Sequence, residues 1–154
     1  MLNLINDLLD LSKIDAGKVE LENTEYNLRH VLDTILDLFA AQARKKGLFL
    51  ATHIDGTLAS RYKGDVTRLR QILANLIGNA VKFTTNGSVV VKAKPENGGI
   101  RFDVEDTGPG IAKSDHGKLF KPFWQIAGRG WDERGTGLGL VITRKLVELG
   151  HVGV

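Results

Sequence analysis

The sequence predicts an α+β fold with helices layered on one face of a sheet, and three observations predict it. Apolar residues recur at helical spacing in four segments. β-like runs stand between them without the regular alternation of a βαβ protein, and two of these runs are joined by the turn-rich Pro95-Glu96-Asn97-Gly98-Gly99 as a hairpin. With 154 residues the chain suffices for one domain with one core.

Met1 to Ile14 reads as a helix with two overlapping apolar seams, Leu2/Ile5/Leu9 and Leu4/Leu8/Leu11, which need a partner: this chain's own core or a coiled-coil or bundle neighbour. Asn27 caps a second helix in which Leu28, Val31, Leu32, Ile35, Leu38 and Phe39 face the core before Gly47 ends it. Leu48 to Ile54 is a short strand. Asp65 caps a third helix carrying Leu69, Ile72, Leu73, Leu76 and Ala80 to about Phe83. Val89 to Lys94 and Ile100 to Asp106 form the hairpin. A long loop broken by glycines and two prolines, with at most one or two helical turns, fills 107–139, and a last helix runs from Leu140 to Leu149.

Composition narrows the function classes. No apolar run approaches the roughly 20 residues of a membrane-spanning helix. Lys+Arg 21 against Asp+Glu 18 leaves a net charge of +3 with the basic residues scattered, so a small anionic ligand accounts for it as well as nucleic acid does. The absence of cysteine excludes disulfides, thiolate zinc sites and thiol nucleophiles, and together with the lack of a signal-peptide pattern it favours a cytoplasmic chain. Eighteen glycines against three prolines, concentrated after Asn86, point to backbone that does more than close a core.

On the third helix Arg68, Gln71, Asn75, Asn79 and Lys82 form one polar stripe. Taken alone it reads as a solvated face. An asparagine oxygen is also a hard, neutral ligand suited to Mg²⁺, with Lys82 one turn on to neutralise a phosphate. In the strand ending at Asp106 the even positions are apolar, so Asp106 inherits the inward parity, and burial there would demand a partner. Asp106-Thr107-Gly108-Pro109-Gly110 admits a flat ring, and a carboxylate accepts from the exocyclic amine of adenine but not from the carbonyl of guanine. Gly135-Thr136-Gly137-Leu138-Gly139-Leu140 opens into the last helix as a phosphate cradle or a simple hinge, and it lacks the lysine of a P-loop. Phe120 to Gln125 provides an aromatic anchor. Ile126 to Arg134 suits a mobile lid whose Arg129 or Arg134 reaches a terminal phosphate or stays solvated.

Together these stretches resemble the catalytic ATP-binding domain of sensor histidine kinases, in the superfamily shared with gyrase, the large heat-shock chaperone ATPase and mismatch-repair ATPases. Asp65 to Thr84 is similar to the family's N box, Asp106 to Ile111 to its first glycine box, Phe120 to Gln125 to its F box and Gly135 to Leu140 to its second glycine box. They stand in the family's order, with 27 residues from Asn79 to Asp106 and 29 from Asp106 to Gly135. Met1 to Ile14 resembles the end of the second helix of the dimerisation and phosphoacceptor hairpin.

The resemblance implies a two-layer α/β sandwich on a mixed sheet with its final strands truncated, residues 1–16 as the hairpin remnant and residues 17–154 as the catalytic domain. It implies ATP and Mg²⁺ as ligands. Asn79 is the metal ligand, Asn75 and Lys82 are phosphate-side contacts, Phe83 is part of the nucleotide wall and Asp106 is the adenine contact. Gly108, Gly110, Ile111, Phe120, Arg134, Gly135, Thr136, Gly137, Leu138 and Gly139 complete the ATP-binding set. The activity implied is transfer of the γ-phosphate to a histidine on a separate helix, with a response regulator downstream, a possible homodimer through residues 1–14, no nucleic acid, and a cytoplasmic location within a parent that can be membrane-attached. None of His30, His53, His116 and His151 lies in a phosphoacceptor context, so each reads as a surface or structural residue. The alternatives are an ATPase of the gyrase type or a nucleotide-binding or dimerisation module without turnover. The ATPase branches carry a glutamate base where this chain has Asn75, which takes no proton.

Overall fold

The structure, a computed structural model, describes residues 2–126 and 135–150. These fall into two compact units, one of Leu21–Gly110 and one of the described residues up to Glu20 and from Ile111 onward.

The first unit holds the sheet. Asn27 ends β1 (Thr24–Asn27) and caps α2 (Leu28–Lys46), its side-chain oxygen accepting the His30 N–H at 2.9 Å. Gly47, at φ +69°, ends α2 in the left-handed conformation, and β2 (Phe49–Ile54) follows. After β3 (Arg61–Gly64), Asp65 caps α3 (Val66–Phe83) by accepting the Arg68 N–H at 2.9 Å. β4 (Ser88–Glu96) and β5 (Gly99–Asp106) form the hairpin. Its turn is shorter than expected: Pro95, Glu96 and Gly99 belong to the strands, and only Asn97 and Gly98 remain, both at positive φ as a two-residue primed turn requires.

The sheet is mixed, in the order β2-β4-β5, with β2 parallel and β5 antiparallel to β4. Val89, Val91 and Ala93 of β4 are fully buried in one core with Leu28, Val31, Leu32 and Ile35 of α2 and Leu73, Ile77 and Val81 of α3. Both helices therefore lie on that face of the sheet. The opposite face carries charge, with Lys92 paired to Glu105 and Lys94 to Asp103. The sequence reading holds for every long element but misses the two-stranded β1–β3 ribbon, in which Thr24 is opposite Gly64. It also misplaces Leu38, which is 69% exposed because the buried side of α2 runs on through Leu36, Phe39 and Ala43 and leaves Leu38 beside it.

In the second unit, α1 (Leu2–Asp15) and α5 (Gly139–Gly150) pack together and a single turn, α4 (Lys113–His116), interrupts the loop. Ile14, Leu138, Val141, Ile142 and Leu146 are its buried apolar residues. Polar anchors reinforce them: Thr136 Oγ1 donates to Asp7 at 2.6 Å, and Lys145 pairs with Asp15. Leu4, Ile5, Leu8 and Leu9 stay exposed, so α1 both docks within its unit and keeps an uncovered apolar seam. None of the described helices is long and apolar enough to cross a membrane.

Candidate nucleotide site

In the sheet unit, α3 and the end of β5 carry the expected residues. Arg68, Gln71, Asn75, Asn79 and Lys82 are all half-buried, so the stripe is not the freely solvated face that its composition alone suggests. Arg68 donates to Gln71 at 2.8 Å, and the Lys82 ammonium lies 5.1 Å from the centre of the Phe83 ring. The C-terminus of α3 is held from outside: Lys46, in the last turn of α2, donates to the carbonyls of Val81 at 2.9 Å, Lys82 at 2.6 Å and Thr84 at 3.4 Å. A cation there satisfies carbonyls that the helix leaves unpaired and meets the negative end of its dipole.

Asp106 corrects an expectation. Register places it opposite Val89, on the face of the core as parity requires, yet it is exposed, because this is the last pair of the hairpin and the covering layer ends there. Its Oδ1 accepts the Gly108 N–H at 2.8 Å, which folds the glycine-rich segment back over the strand end. Thr107 latches the same segment to the start of β4, its Oγ1 accepting the Ser88 N–H at 2.9 Å and donating to Asn86 O at 3.0 Å. The latch requires Gly87: at φ +105°, a Cβ there would lie 2.0 Å from Thr107 Oγ1.

Gly108 joins the two motifs. A Cβ on it would come within 2.8 Å of Asp106 Oδ1, 3.2 Å of Thr84 Oγ1 and 3.5 Å of Phe83 O. Phe83, Thr84, Asp106 and Gly108 are thus neighbours although the first two close α3 while Asp106 ends β5 and Gly108 follows it. Thr84 was absent from the expected set. Its signal is structural, a fully buried hydroxyl without a hydrogen-bond partner among the described residues. Gly110 has φ +70°, and the exposed Ile111 gives its carbonyl to His116 Nε2 at 3.0 Å.

The second unit carries the other glycine segment. Gly137, at φ +73°, runs against Phe123, whose N–H donates to Gly137 O at 3.0 Å; a Cβ on Gly137 would lie 2.7 Å from Phe123 Cα. Gly135 O accepts from Gln125 Nε2 at 2.7 Å. Thr136 Oγ1, besides donating to Asp7, accepts the Leu138 N–H at 3.2 Å, and the wholly buried Leu138 leads into Gly139 and α5. The aromatic anchor is not a buried one: Phe120 and Phe123 are 43% and 59% exposed, and Phe120 lies under the Arg144 guanidinium, 5.1 Å from its centre. Arg134, with Arg129, Gly128 and Gly130 of the expected lid, lies outside the described residues, as does His151. His30, His53 and His116 are exposed, as surface residues should be.

Among the described residues no group of three or more His, Cys, Asp or Glu can hold a metal. Two open grooves beside α2, of ≈ 450 and ≈ 600 Å³, are lined by residues such as Asp37, Arg44, His30 and Asp55, and by none of the expected set.

Residues 64–154 match the family described as histidine kinase-, DNA gyrase B- and HSP90-like ATPase. The signal transduction histidine-protein kinase BarA of Escherichia coli (strain K12) is 44% identical over 96% of this chain and 17% of its own length. Full-length ShkA, solved in complex with AMPPNP, superposes with a TM-score of 0.85 at 36% identity, over 96% of this chain and 30% of that one. The histidine kinase ThkA, solved in complex with the response regulator protein TrrA, gives a TM-score of 0.69 at 30% identity over 96% of this chain and 42% of that one. The chain spans only 12% to 17% of the first curated relatives it matches. With its family match covering more than half of the sequence and its fold that of histidine kinase catalytic domains, the chain belongs to the histidine kinase-, DNA gyrase B- and HSP90-like ATPase family.

Proposed function

We propose that this chain is the ATP-binding catalytic part of a two-component sensor histidine kinase, transferring the γ-phosphate of ATP to a histidine on a separate phosphoacceptor helix. The observation that carries the reading is the turn at Asp106. One carboxylate oxygen is committed to Gly108 while the exposed residue keeps a second to accept the exocyclic amine of adenine. Phe83, 38% exposed, offers the base an apolar wall. Gly108 and Gly110 let the backbone come close, Lys82 and Asn75 face the phosphates, and Ile111, Phe120, Arg134 and the segment Gly135–Gly139 with Thr136 and Leu138 complete the set.

A neutral, half-buried asparagine without a carboxylate cluster fits Mg²⁺, which takes most of its shell from phosphate oxygens and water, so Asn79 is its protein ligand. When bound, the ion neutralises charge on the phosphates. The protein's part in transfer is positioning and charge compensation, and with Asn75 in place of a base it does not activate water. Residues 17–154 then act as the catalytic domain, and residues 1–16 as the end of the second hairpin helix, whose exposed Leu4, Ile5, Leu8 and Leu9 support a homodimer through 1–14. A cytoplasmic location and a response-regulator partner accompany this role.

Titration with ATP and GTP, with and without Mg²⁺, tests the reading. ATP should bind and GTP should not. Asp106→Ala should weaken ATP binding by at least about tenfold, the loss of a charge-assisted hydrogen bond. Asn79→Ala should remove mainly the Mg²⁺-dependent part of the affinity. Supplying a phosphoacceptor hairpin should give acid-labile, base-stable label on the hairpin alone. Fast hydrolysis by the chain by itself, or label on His30, His53, His116 or His151, would overturn it.

A further inference from the structure

The two long helices of the sheet unit end differently. α2 closes on its own backbone: the Gly47 N–H donates to Arg44 O at 3.0 Å and the Leu48 N–H to Ala43 O at 2.9 Å, bonds that the left-handed glycine makes possible. α3 ends without such a glycine. Thr84 leaves it in an extended conformation, φ −86° and ψ 124°, with its N–H donating to Ala80 O at 3.0 Å. The carbonyls that follow take their donors from α2, since the Lys46 ammonium donates to Val81 O at 2.9 Å, Lys82 O at 2.6 Å and Thr84 O at 3.4 Å. An ammonium carries three N–H groups on one point and meets three carbonyls here, whereas a guanidinium fork suits acceptors lying side by side. The extended exit has a use. It brings Thr84 Oγ1 and Phe83 O to 3.2 and 3.5 Å from the point where Gly108 lacks a Cβ, so the turn that holds the Asp106 carboxylate rests on the same helix end that Lys46 grips. Lys46 itself lies outside all four motifs.

We infer that Lys46 is a positioning residue for the base end of the nucleotide site. By holding the carbonyls of Val81, Lys82 and Thr84 it fixes the exit of α3, on which the Phe83 wall and the seat of Gly108 depend. Without its donors the last turn of α3 loosens, and the wall and the glycine turn move with it. A helix end fixed before the base arrives spares binding the cost of ordering it. Asn79 and Asn75 stand further up the helix, away from the carbonyls that Lys46 holds, so its action stops short of the metal ligand. This rests on the assignment of Phe83 and Asp106 to the adenine base.

The test pairs hydrogen exchange with ATP titration in two variants. Lys46→Met keeps the aliphatic stem and removes the donors, and Lys46→Arg keeps the charge with its donors in a flat fork. Circular dichroism and melting establish that each is folded at the temperature of the titration. In Lys46→Met the buried Thr84 N–H should exchange about tenfold faster with the β4 amides unchanged, and ATP should bind about 5- to 10-fold more weakly. That loss should be equal at about 50 mM and about 500 mM salt, since it is not a charge acting on the phosphates from a distance, and the ratio of affinities with and without Mg²⁺ should stay as in wild type. Lys46→Arg should lose about 2- to 3-fold in both exchange and affinity, and it carries the test if Lys46→Met does not fold. Unchanged Thr84 exchange, or faster exchange with wild-type ATP affinity, overturns the inference and leaves Asp106 in place; so does a loss that vanishes at high salt or that removes the Mg²⁺ dependence. A wild type that does not bind ATP overturns the assignment of the site itself, and the role of Lys46 with it.

Discussion

The two units of this chain are stabilised in opposite ways. In Leu21–Gly110 a continuous apolar core joins α2, α3 and β4, strand ladders tie β4 to both neighbours, and the candidate residues sit at the ends of these rigid elements. In the other unit a short list of buried aliphatic residues is supplemented by side-chain anchors: Thr136 on Asp7, Lys145 on Asp15, Gln125 on Gly135 O and Arg144 over Phe120. Dispersion and apolar burial are non-directional and large in sum, whereas each polar anchor is worth about 1 kcal/mol. The residues proposed for the base and the metal, together with the phosphate-side Asn75 and Lys82, therefore stand on the stiffer scaffold, and the second glycine segment on the one whose bonds are exchanged most cheaply.

This contrast can be broken by substitution. Leu73→Ala, at a fully buried position of α3, should cost about 2–5 kcal/mol in urea unfolding, and a loss below about 1 kcal/mol would show that the sheet unit does not depend on its core. Asp7→Ala should cost roughly 1 kcal/mol, visible as about fivefold faster hydrogen exchange in α1 with β4 unchanged. Equal acceleration in β4 would abolish the distinction between the units. The smallest effect concerns the charged face of the hairpin, where hydrogen bonds from Arg101 and then Lys94 hold the Asp103 carboxyl below the usual carboxylate range. A depressed folded pKa means stabilisation that is present above the unfolded value, about 4, and lost as pH falls through the folded one. Melting temperature should accordingly fall more steeply with acid in wild type than in Asp103→Asn. Parallel curves would show the pairs to be inert, as many exposed ion pairs are.

What the sequence made legible follows from range. Asn27 and Asp65 could be read as caps because the acceptor, the first-turn N–H groups and the apolar stripe all lie within a few residues. The β1–β3 ribbon was not legible, since TEYN and RYKG have no apolar alternation and their pairing is decided some 40 residues away. Parity told which face Asp106 takes but not that the covering layer stops there, and periodicity failed Leu38 because the buried stripe of α2 is narrower than the apolar one and passes through Phe39 and Ala43 instead. The glycine segments were legible as motifs. The bond from Thr136 to Asp7, across 129 residues, was not, nor was the orphaned hydroxyl of Thr84, which exists only once Gly108 is folded over it.

The Thr107 latch also fixes where the chain can change length. It closes one end of the β4–β5 hairpin, where the chain enters from α3 and leaves for the glycine-rich loop, and Gly87 has no space for even one carbon more. An added residue between Thr84 and Ser88 would push directly on Asp106 and Gly108. At the other end, Asn97 and Gly98 are exposed, and a Cβ on Gly98 meets nothing within 4 Å. Loop closure grows only slowly with length, so related chains should vary in size at that turn and keep the count between α3 and β4 constant.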